Sequence, residues 1–305
     1  MKHVFVMDPI GSVKSWKDTT YFLMKACRER GHQVAYTDPG WLGLKHDQPY
    51  ARVQWLEVND SREQPFTITG DESITLGEVD VVWLRTDPPF DRRYFYTTLL
   101  LDFIPDSVRI VNRPQGVRDW NEKLAALAFP EFTPQTLVSN DVEEIAGFAN
   151  RFDRITVKPV DGHGGKGIVF YSTGEDPSPL HTVTHDGSHW VVAQEYLPSA
   201  KHGDKRILLL EGEPLGAILR VHAEGAELNN LDQGGTANPA ELTPREIEIC
   251  SAFKPELVRR GIFFAGIDVI GEMLIEVNVT SPTGLQEMSR FSGESLHHRI
   301  IEALE

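Results

Sequence analysis

Apolar and polar positions along the first third of the chain predict an open α/β layer. A strand over Lys2–Asp8 precedes a helix over Asp18–Arg30, which ends at Gly31, and a second strand covers Gln33–Thr37. This order predicts parallel pairing with a crossover helix. Further apolar patterns predict two buried strands, at Val79–Arg85 and Val108–Asn112. A helix is predicted between them at Tyr94–Phe103, and a hairpin beside the sheet at Ala51–Ile68.

The pattern changes after residues 115–122, where we place a domain boundary. Two short helices are predicted there, at Asp119–Phe129 and Asp141–Asn150. Short strands joined by turns then predict antiparallel sheet, at Ile155–Pro159, Ile168–Ser172, Val191–Tyr196, Lys205–Leu210 and Leu215–Arg220.

A longer helix is predicted to begin at Thr243. Thr243-Pro244-Arg245-Glu246 has the composition of a capping box, with proline at the first helical position. Pro255 lies inside this helical pattern, and proline removes a backbone donor and clashes with the preceding turn. We therefore expect a kink or a break at Pro255, before Gly261.

The stretch Ile267–Gly284 predicts a strand, a tight turn, a second strand and a loop into a helix. Its second strand alternates apolar with polar positions, Ile275, Val277 and Val279 against Glu276 and Asn278. A three-residue turn, Gly271–Met273, would place Asp268 opposite Glu276, whereas a two-residue turn would reverse its face. Two carboxylates and an amide oxygen on one face predict a hard-cation site, and an ordinary exposed acidic face is the alternative.

Four glycines lie within six positions of the segment Lys158–Gly167, between two predicted strands. Glycine allows backbone amides to approach phosphate oxygens closely. The spacing satisfies G-x-G-x-x-G, but that dinucleotide motif opens a helix, whereas here a strand follows at Ile168–Ser172. The sequence therefore predicts a flap over nucleotide phosphates, with Lys158 near the α- or β-phosphate, and a flexible surface hairpin is the alternative.

Composition narrows the class of protein. The 305 residues carry a formal net charge of −15, which argues against binding to nucleic-acid phosphates. No apolar run approaches the length of a membrane span, and we expect no membrane association. The two cysteines, Cys27 and Cys250, fall in predicted helices and favour a reduced cytoplasmic setting.

The histidines give no catalytic or metal signal in the sequence. His163 is interpreted as an incidental residue of the glycine-rich loop. His297-His298 lies in the predicted terminal helix, and no second ligand lies at zinc spacing along the chain.

Several unusual short motifs follow one another along nearly the whole chain. They are Val6–Ile10, Arg85–Asp91, Asn112–Gln115, Asn121–Leu124, Lys158-Pro159 with the glycine loop, Tyr196–Pro198, Gly203–Arg206, Gly266–Asp268 and Glu276–Pro282. In this order they resemble the prokaryotic glutathione synthetase family of the ATP-grasp superfamily.

The resemblance implies an α/β ATP-grasp fold and an enzyme. An N-terminal pre-ATP-grasp domain would cover residues 1–121 and an ATP-grasp domain residues 122–305, with a lid at about 122–195 and a core at about 196–305. It implies ATP with Mg²⁺, or Mn²⁺, and a cytoplasmic homotetramer. In the family, γ-glutamylcysteine is activated as an acyl phosphate and joined to glycine, giving glutathione, ADP and phosphate.

Residue roles are carried over by position. Arg206 and Arg220 match positions near the transferred phosphate and the acyl group, and Asp268, Glu276 and Asn278 match the metal ligands. The residues expected around the nucleotide are Lys123, Lys158, Gly162, Gly164, Gly165, Lys166, Gly167, Glu195, Tyr196, Leu197 and Asp204.

The chain departs from the family pattern at three positions where arginine is usual. These positions hold Leu228, Thr236 and Gln286. Each missing charge-assisted contact weakens binding of a multiply anionic dipeptide, by about 1.5–3 kcal/mol. The departures put the substrate in doubt and leave the phosphoryl chemistry untouched.

Three functions therefore remain open. The first is glutathione synthesis, and the second is a related ligation with another acyl donor or amine. The third is nucleotide binding without turnover. Retention of Lys123, Lys158, Arg206 and the three metal-ligand candidates argues against the third, since a binder need not keep metal ligands.

Overall fold

The first 119 residues of the computed structural model form a seven-stranded sheet with three helices. The structure describes residues 1–223, 229 and 234–305. The elements are β1 (Lys2–Val6), α1 (Thr19–Glu29), β2 (Gln33–Thr37), β3 (Leu42–Lys45), β4 (Gln48–Val58), β5 (Phe66–Thr75), β6 (Val81–Leu84), α2 (Arg92–Leu101), β7 (Arg109–Val111) and α3 (Pro114–Asp119). The strand order is β3-β4-β2-β1-β6-β7, and β5 pairs with β4. Because β1 pairs in parallel with β2 and β6, the predicted α/β layer is confirmed.

A four-stranded antiparallel sheet follows, with two helices. The elements are β8 (Thr136–Ser139), α4 (Val142–Ala149), β9 (Arg154–Pro159), β10 (Val169–Ser172), α5 (Ser178–Thr184) and β11 (Val191–Glu195). The strand order is β10-β9-β11-β8. Ile145, Val157 and Leu180 belong to an apolar core that is confined to this part of the chain.

The third sheet has five antiparallel strands. The elements are β12 (Asp204–Leu210), β13 (Glu213–Val221), β14 (Thr236–Pro239), α6 (Pro244–Arg260), β15 (Phe264–Ile270), β16 (Met273–Asn278), α7 (Leu285–Ser292) and α8 (Leu296–Glu302). The strand order is β14-β13-β12-β15-β16, and every pairing in it is antiparallel, which confirms the antiparallel sheet expected of the second half.

The seven-stranded and five-stranded sheets share their apolar cores. Val4 and Ile207 are fully buried in one shared cluster, whereas their chain neighbours Phe5 and Leu208 are fully buried in the other. This alternation is the two-residue period of strands that are covered on both faces. The two sheets are thus one packed unit, and the four-stranded sheet is a separate layer with its own core.

The predicted helix over Asp119–Phe129 is wrong. The helix begins at Pro114, as proline at the first helical position favours, and it ends at Asp119. The Asn121 side chain then accepts hydrogen bonds from the backbone N–H groups of Lys123 and Leu124, both at 3.0 Å. This local bonding competes with helix continuation, so only a short 3-10 turn, Ala125–Ala128, follows.

The long helix α6 passes through Pro255 without a break. Its capping box is present as predicted, with Glu246 N–H donating to the Thr243 hydroxyl and the Glu246 carboxylate accepting from Thr243 N–H. Pro255 lies on the exposed side of the helix. A backbone carbonyl that loses its partner there can be hydrated, which removes much of the cost of the missing N–H.

Asn112 connects the first sheet to the third through four hydrogen bonds. Its amide N–H groups donate to the carbonyls of Phe264 and Val279, at 2.7 and 2.8 Å. Its amide oxygen accepts from the N–H groups of Phe263 and Phe264, at 2.8 and 2.9 Å. Because Asn112 is buried, water cannot readily take its place as the hydrogen-bond partner of these backbone groups.

We expect Asn112→Ala to lower the free energy of unfolding by about 2–4 kcal/mol, because buried donors and acceptors lose their partner. Urea unfolding measures the loss. Asn150→Ala is the control, since Asn150 is exposed, and we expect it to stay within about 0.5 kcal/mol of the wild type. Equal stability of the two variants would contradict the connecting role of Asn112.

Candidate active site

The hairpin of β15 and β16 places Asp268 opposite Glu276, but not through the predicted three-residue turn. Ile270 pairs with Met273 and Val269 with Leu274, so the turn has only two residues, Gly271 and Glu272. The register then shifts between Val269 and Asp268, and Asp268 pairs with Glu276. A β-bulge therefore supplies the extra residue that we assigned to the turn.

The residue that the bulge inserts is Ile275, and its predicted position is wrong. The alternation placed Ile275 on the same face of the strand as Val277. Val277 is fully buried, whereas Ile275 is only partly buried and lines the cavity beside Glu276. A bulge interrupts the two-residue period, which explains why Ile275 and Glu276 reach the same space.

A cavity of about 400 Å³ lies against this hairpin, with walls from the four-stranded and five-stranded sheets. All predicted site residues lie in the described part of the chain, and among them only Gly167 does not line the cavity. Those that do are Lys123, Lys158, Gly162, Gly164, Gly165, Lys166, Glu195, Tyr196, Leu197, Asp204, Arg206, Arg220, Asp268, Glu276 and Asn278.

The glycine-rich segment is a loop between β9 and β10. This agrees with the sequence prediction that a strand follows the glycines, where a dinucleotide motif would have a helix. Gly164, Gly165 and Gly167 have φ of 60°, 74° and 73°, values that residues with a side chain rarely adopt. At Gly162 a Cβ would lie 3.2 Å from the Pro159 carbonyl oxygen, which is tighter than ordinary contact. The loop conformation therefore depends on glycine at these positions.

Lys123 and Lys158 are both buried and line the cavity, and Lys123 contacts this loop. The Lys123 ammonium donates to the Gly162 carbonyl and lies 3.2 Å from a Glu276 carboxylate oxygen. Burial lowers the pKa of Lys158 to about 8, and the neighbouring charge of Lys123 acts in the same direction, while Glu276 opposes it. The two positive charges repel each other, so an anion in the cavity would relieve a cost that the folded chain already carries.

Two arginines and two aspartates form a buried charge cluster at the other wall. Arg206 donates to Asp268, at 2.8 Å from Nη2 to Oδ2, and Arg220 lies 2.9 Å from the same carboxylate. Arg220 also donates to Asp204, at 3.0 Å from its Nε. Burial alone would raise the pKa of Asp268, but Arg206 and Arg220 outweigh it and hold that pKa well below its usual range. Burial raises the pKa of Asp204.

The three candidate metal ligands fit a hard divalent cation. Asp268 and Glu276 are cross-strand partners, and Asn278 is two residues beyond Glu276 on the same side of the strand. The Asn278 amide N–H donates to Asp268, at 3.3 Å. Asp268 is enclosed by guanidinium groups, whereas the Glu276 side chain keeps about 25% of its surface exposed. Glu276 and Asn278 are thus the more accessible oxygen donors of the set.

The segment Glu195–Leu197 lies at the end of β11, against the cavity. The Glu195 carboxylate accepts a hydrogen bond from Gln135 N–H, at 3.2 Å. The Tyr196 ring meets the Phe170 ring edge-on, with centroids 5.8 Å apart. Together with Leu197 these aromatic groups give this part of the wall apolar surface suited to a flat ring.

Glu122 is a cavity residue to which sequence reasoning gave no role. One carboxylate oxygen of Glu122 accepts from Val279 N–H, Thr280 N–H and the Thr280 hydroxyl, at 3.0, 3.1 and 2.8 Å. Burial raises the pKa of Glu122, and the charge of Glu276 adds to the effect. Its position directly before Lys123 in the Asn121–Leu124 motif was the available signal. Glu122 fixes the chain just after β16 and so helps to place Asn278.

The positions that lack the expected arginines fall outside the cavity or outside the described residues. Leu228 belongs to a segment that the structure does not describe. Thr236 is the exposed first residue of β14. The Gln286 amide donates to the carbonyls of Ser15 and Asp18, at 2.9 and 2.7 Å. Gln286 therefore serves as a link between α7 and the loop before α1.

Solved structures that resemble this chain share its fold. D-cycloserine synthetase DcsG matches with a TM-score of 0.68 and 16% identity, over all of both chains. The RimK domain protein ATP-grasp from Sphaerobacter thermophilus matches with a TM-score of 0.63 and 15% identity, over 99% of this chain and 98% of that one. These likenesses, together with the three sheets, the glycine-rich loop and the acidic hairpin, show the ATP-grasp fold.

Similarity in sequence narrows the class. Residues 1–118 match the model of the prokaryotic glutathione synthetase N-terminal domain, and residues 122–293 match that of its ATP-grasp domain. Glutathione synthetase of Agrobacterium fabrum is 39% identical over 302 residues, 98% of this chain and 94% of that protein. That of Brucella melitensis is 38% identical over 307 residues, 100% and 98% of the two chains. The chain belongs to the prokaryotic glutathione synthetase family.

Membership in this family makes the protein an ATP-dependent ligase, as the motifs implied. The described residues contain no helix long and apolar enough to cross a membrane.

The buried charge cluster predicts a pH-dependent contribution to stability. Asp268→Asn leaves two buried guanidinium groups short of a counter-charge, and we expect it to lower the free energy of unfolding by about 3 kcal/mol at pH 7. Because the pKa of Asp268 is lowered in the folded state, its contribution is present above the ordinary carboxyl pKa and lost as pH falls through the folded value.

Urea unfolding of wild type and Asp268→Asn at a series of pH values measures this contribution. The difference between them is expected to narrow below a pH of about 4, where the unfolded state begins to bind the proton. Asp153→Asn is the control, since Asp153 is exposed. A difference that stays constant with pH would show that the carboxylate charge is not what stabilises the cluster.

Proposed function

We propose that this ligase joins γ-glutamylcysteine to glycine and so makes glutathione. The observation that carries the proposal is the convergence, in a chain matched to the family along almost its whole length, of two buried lysines, two arginines and an oxygen-donor hairpin on one cavity. The relatives of similar length are named glutathione synthetases. Charged groups of both signs suit a reaction that brings together a nucleotide, a carboxylate and an amine.

The proposed reaction has two steps. A carboxylate oxygen of the dipeptide attacks the γ-phosphorus of ATP, the bond to the ADP oxygen breaks, and an acyl phosphate forms. The free amine of glycine then attacks the acyl carbon, phosphate leaves with the carbon–oxygen bond pair, and the amine loses a proton. Activation is needed because the oxygen of a free carboxylate is a poor leaving group.

The chain's own residues supply positive charge and exclude water. We assign Lys123 and Lys158 to the nucleotide phosphates, with the loop of Gly162, Gly164, Gly165, Lys166 and Gly167 closing over them. Arg206 and Arg220 are assigned to the oxygens that gain charge during both steps. Closure of the glycine-rich loop would protect the acyl phosphate from hydrolysis.

Asp268, Glu276 and Asn278 are proposed to hold Mg²⁺, with Mn²⁺ as a substitute. When bound, the cation supplies positive charge to the phosphate oxygens of ATP. The exposed part of the Glu276 carboxylate and the amide oxygen of Asn278 would supply oxygen ligands to the cation from the cavity side. Asp204 is assigned to the nucleotide site through Arg220, the side chain that it pairs with. Glu195, Tyr196 and Leu197 are assigned to the adenosine end.

Domain roles, assembly and location are part of the same proposal. We assign residues 1–121 to a pre-ATP-grasp domain, about 122–195 to a lid and about 196–305 to the core. The separate apolar core of the four-stranded sheet supports an independently moving lid. A cytoplasmic homotetramer is proposed from the family resemblance, and the buried free thiols of Cys27 and Cys250 suit a reducing compartment.

A second candidate is ligation of a different acyl donor or amine. Gln286 favours it, because the guanidinium charge that is usual at this position in the family is absent and the glutamine bonds to backbone outside the cavity instead. Thr236, which also lies outside the cavity, likewise lacks the charge that is usual there in the family.

ADP release with each substrate omitted in turn separates the candidates. We expect ADP only when ATP, γ-glutamylcysteine and glycine are all present, with glutathione formed in equal amount. A panel of other carboxylates and amines runs alongside. ADP release that requires another carboxylate in place of the dipeptide, or another amine in place of glycine, would establish the second candidate. No ADP release with any pair of substrates would contradict the ligase assignment.

Glu276→Gln is expected to lower the ligation rate by about a hundredfold or more, because it removes a charged ligand from the proposed cation site. The variant should remain folded, since Glu276 is partly exposed. Glu272→Gln is the matched control, an exposed position in the turn of the same hairpin, and it should keep full activity. Full activity of Glu276→Gln, with circular dichroism unchanged, would show that the cation site is misplaced.

A further inference from the structure

The first and last helices of the chain bring two histidines and a glutamate together. Helix α8 packs against α1, and this contact places Glu29 beside His297 and His298. A Glu29 carboxylate oxygen lies 2.9 Å from His298 Nε2 and 4.0 Å from His297 Nε2. The sequence offered no partner for the histidine pair at zinc spacing. The fold supplies one from a position nearly 270 residues earlier in the chain.

These separations suit a single transition-metal ion. Zinc binds imidazole nitrogen and carboxylate oxygen at about 2.0–2.2 Å, so two ligands of one tetrahedral ion lie about 3.4 Å apart. The two observed distances fall on either side of that value. Two imidazoles with one carboxylate are a donor set that zinc and related divalent ions take in proteins, with a further position left for water.

His297 is a buried side chain whose polar atoms the protein does not fully satisfy. It is buried, with only 7% of its surface exposed, and its ring stacks on Phe22 with centroids 3.7 Å apart. Among the described residues, its Nδ1 has no hydrogen-bond partner, and the 4.0 Å from Nε2 to Glu29 is too long for a hydrogen bond. Nδ1 is thus a buried nitrogen without a partner, which is costly, whereas Nε2, the nitrogen nearer Glu29, lies at a distance from the carboxylate that a shared metal ion would bridge.

A second trio, His3, Cys27 and His32, is close enough for a metal but lacks free nitrogens. The indole N–H of Trp83 can only donate, and it donates to His3 Nδ1 at 3.1 Å. His3 Nε2 therefore carries the proton that it shares with His32 Nδ1, at 3.0 Å, and His32 Nε2 meets Glu305 at 3.0 Å. Every imidazole nitrogen of that trio is already bonded.

We propose that Glu29, His297 and His298 form a binding site for a divalent transition-metal ion of the zinc class, separate from the ATP cavity. The bound ion joins α1, in the N-terminal part of the chain, to the C-terminal helix α8. Lys25 is a nearby cation, with its ammonium 3.7 Å from the second oxygen of Glu29. Lys25 also forms an ion pair with Asp60, so it does not neutralise Glu29 alone.

Zinc titration of the complete, chelator-treated protein by calorimetry tests the site. Excess Mg²⁺ is present, so that the oxygen donors of the ATP cavity are occupied. We expect one Zn²⁺ per chain, and a rise in the thermal unfolding midpoint when it binds. His298→Ala and Glu29→Gln each remove one ligand and should weaken binding about tenfold or more.

His298 is chosen over His297 because it is partly exposed and its loss leaves no buried cavity. His46→Asn is the matched control, an exposed histidine in a left-handed turn that asparagine tolerates, and it should titrate like the wild type. Absence of zinc binding to the wild type would overturn the site, as would wild-type affinity in either ligand variant.

Discussion

The register of one hairpin determines what the active-site cavity contains. Side chains on a strand alternate between faces, so a shift of one residue between β15 and β16 would turn Asp268 away from Glu276. The bulge at Ile275 sets that register, and the three donors Asp268, Glu276 and Asn278 then face one space. Because Asp268 is also the partner of Arg206 and Arg220, the same register orders the guanidinium groups. The proposed cation site and the arrangement of the guanidinium groups therefore depend on the same register.

The arrangement of the sheets explains how the hairpin can be held rigidly while the cavity beside it stays accessible to a nucleotide. The hairpin belongs to a sheet that shares its apolar cores with the N-terminal sheet, and Asn112 and Glu122 bind the backbone at its ends. The glycine-rich loop and Lys158 belong instead to the four-stranded sheet, which has a separate core. Opening between these layers would admit a nucleotide without disturbing the carboxylates and guanidinium groups.

The order of the sheets and most of the cavity residues were predictable from the sequence, because strand periods and short motifs are local signals. The bulge was not, since a two-residue turn with a bulge and a three-residue turn give Asp268 the same partner. Helix α5 was missed because its seven residues include Pro179 and two threonines, and burial of Leu180 and Val183 stabilises it. Glu122 and Glu29 escaped notice because their partners lie more than 150 residues away.

The proposed mechanism requires that a carboxylate is activated as an acyl phosphate in the cavity before an amine attacks it. Isotope transfer tests this most directly. With γ-glutamylcysteine carrying ¹⁸O in its cysteinyl carboxylate, ATP and glycine, the account predicts one ¹⁸O atom in each phosphate released, detected by mass spectrometry. Phosphate released without the label, while the peptide bond forms, would contradict it.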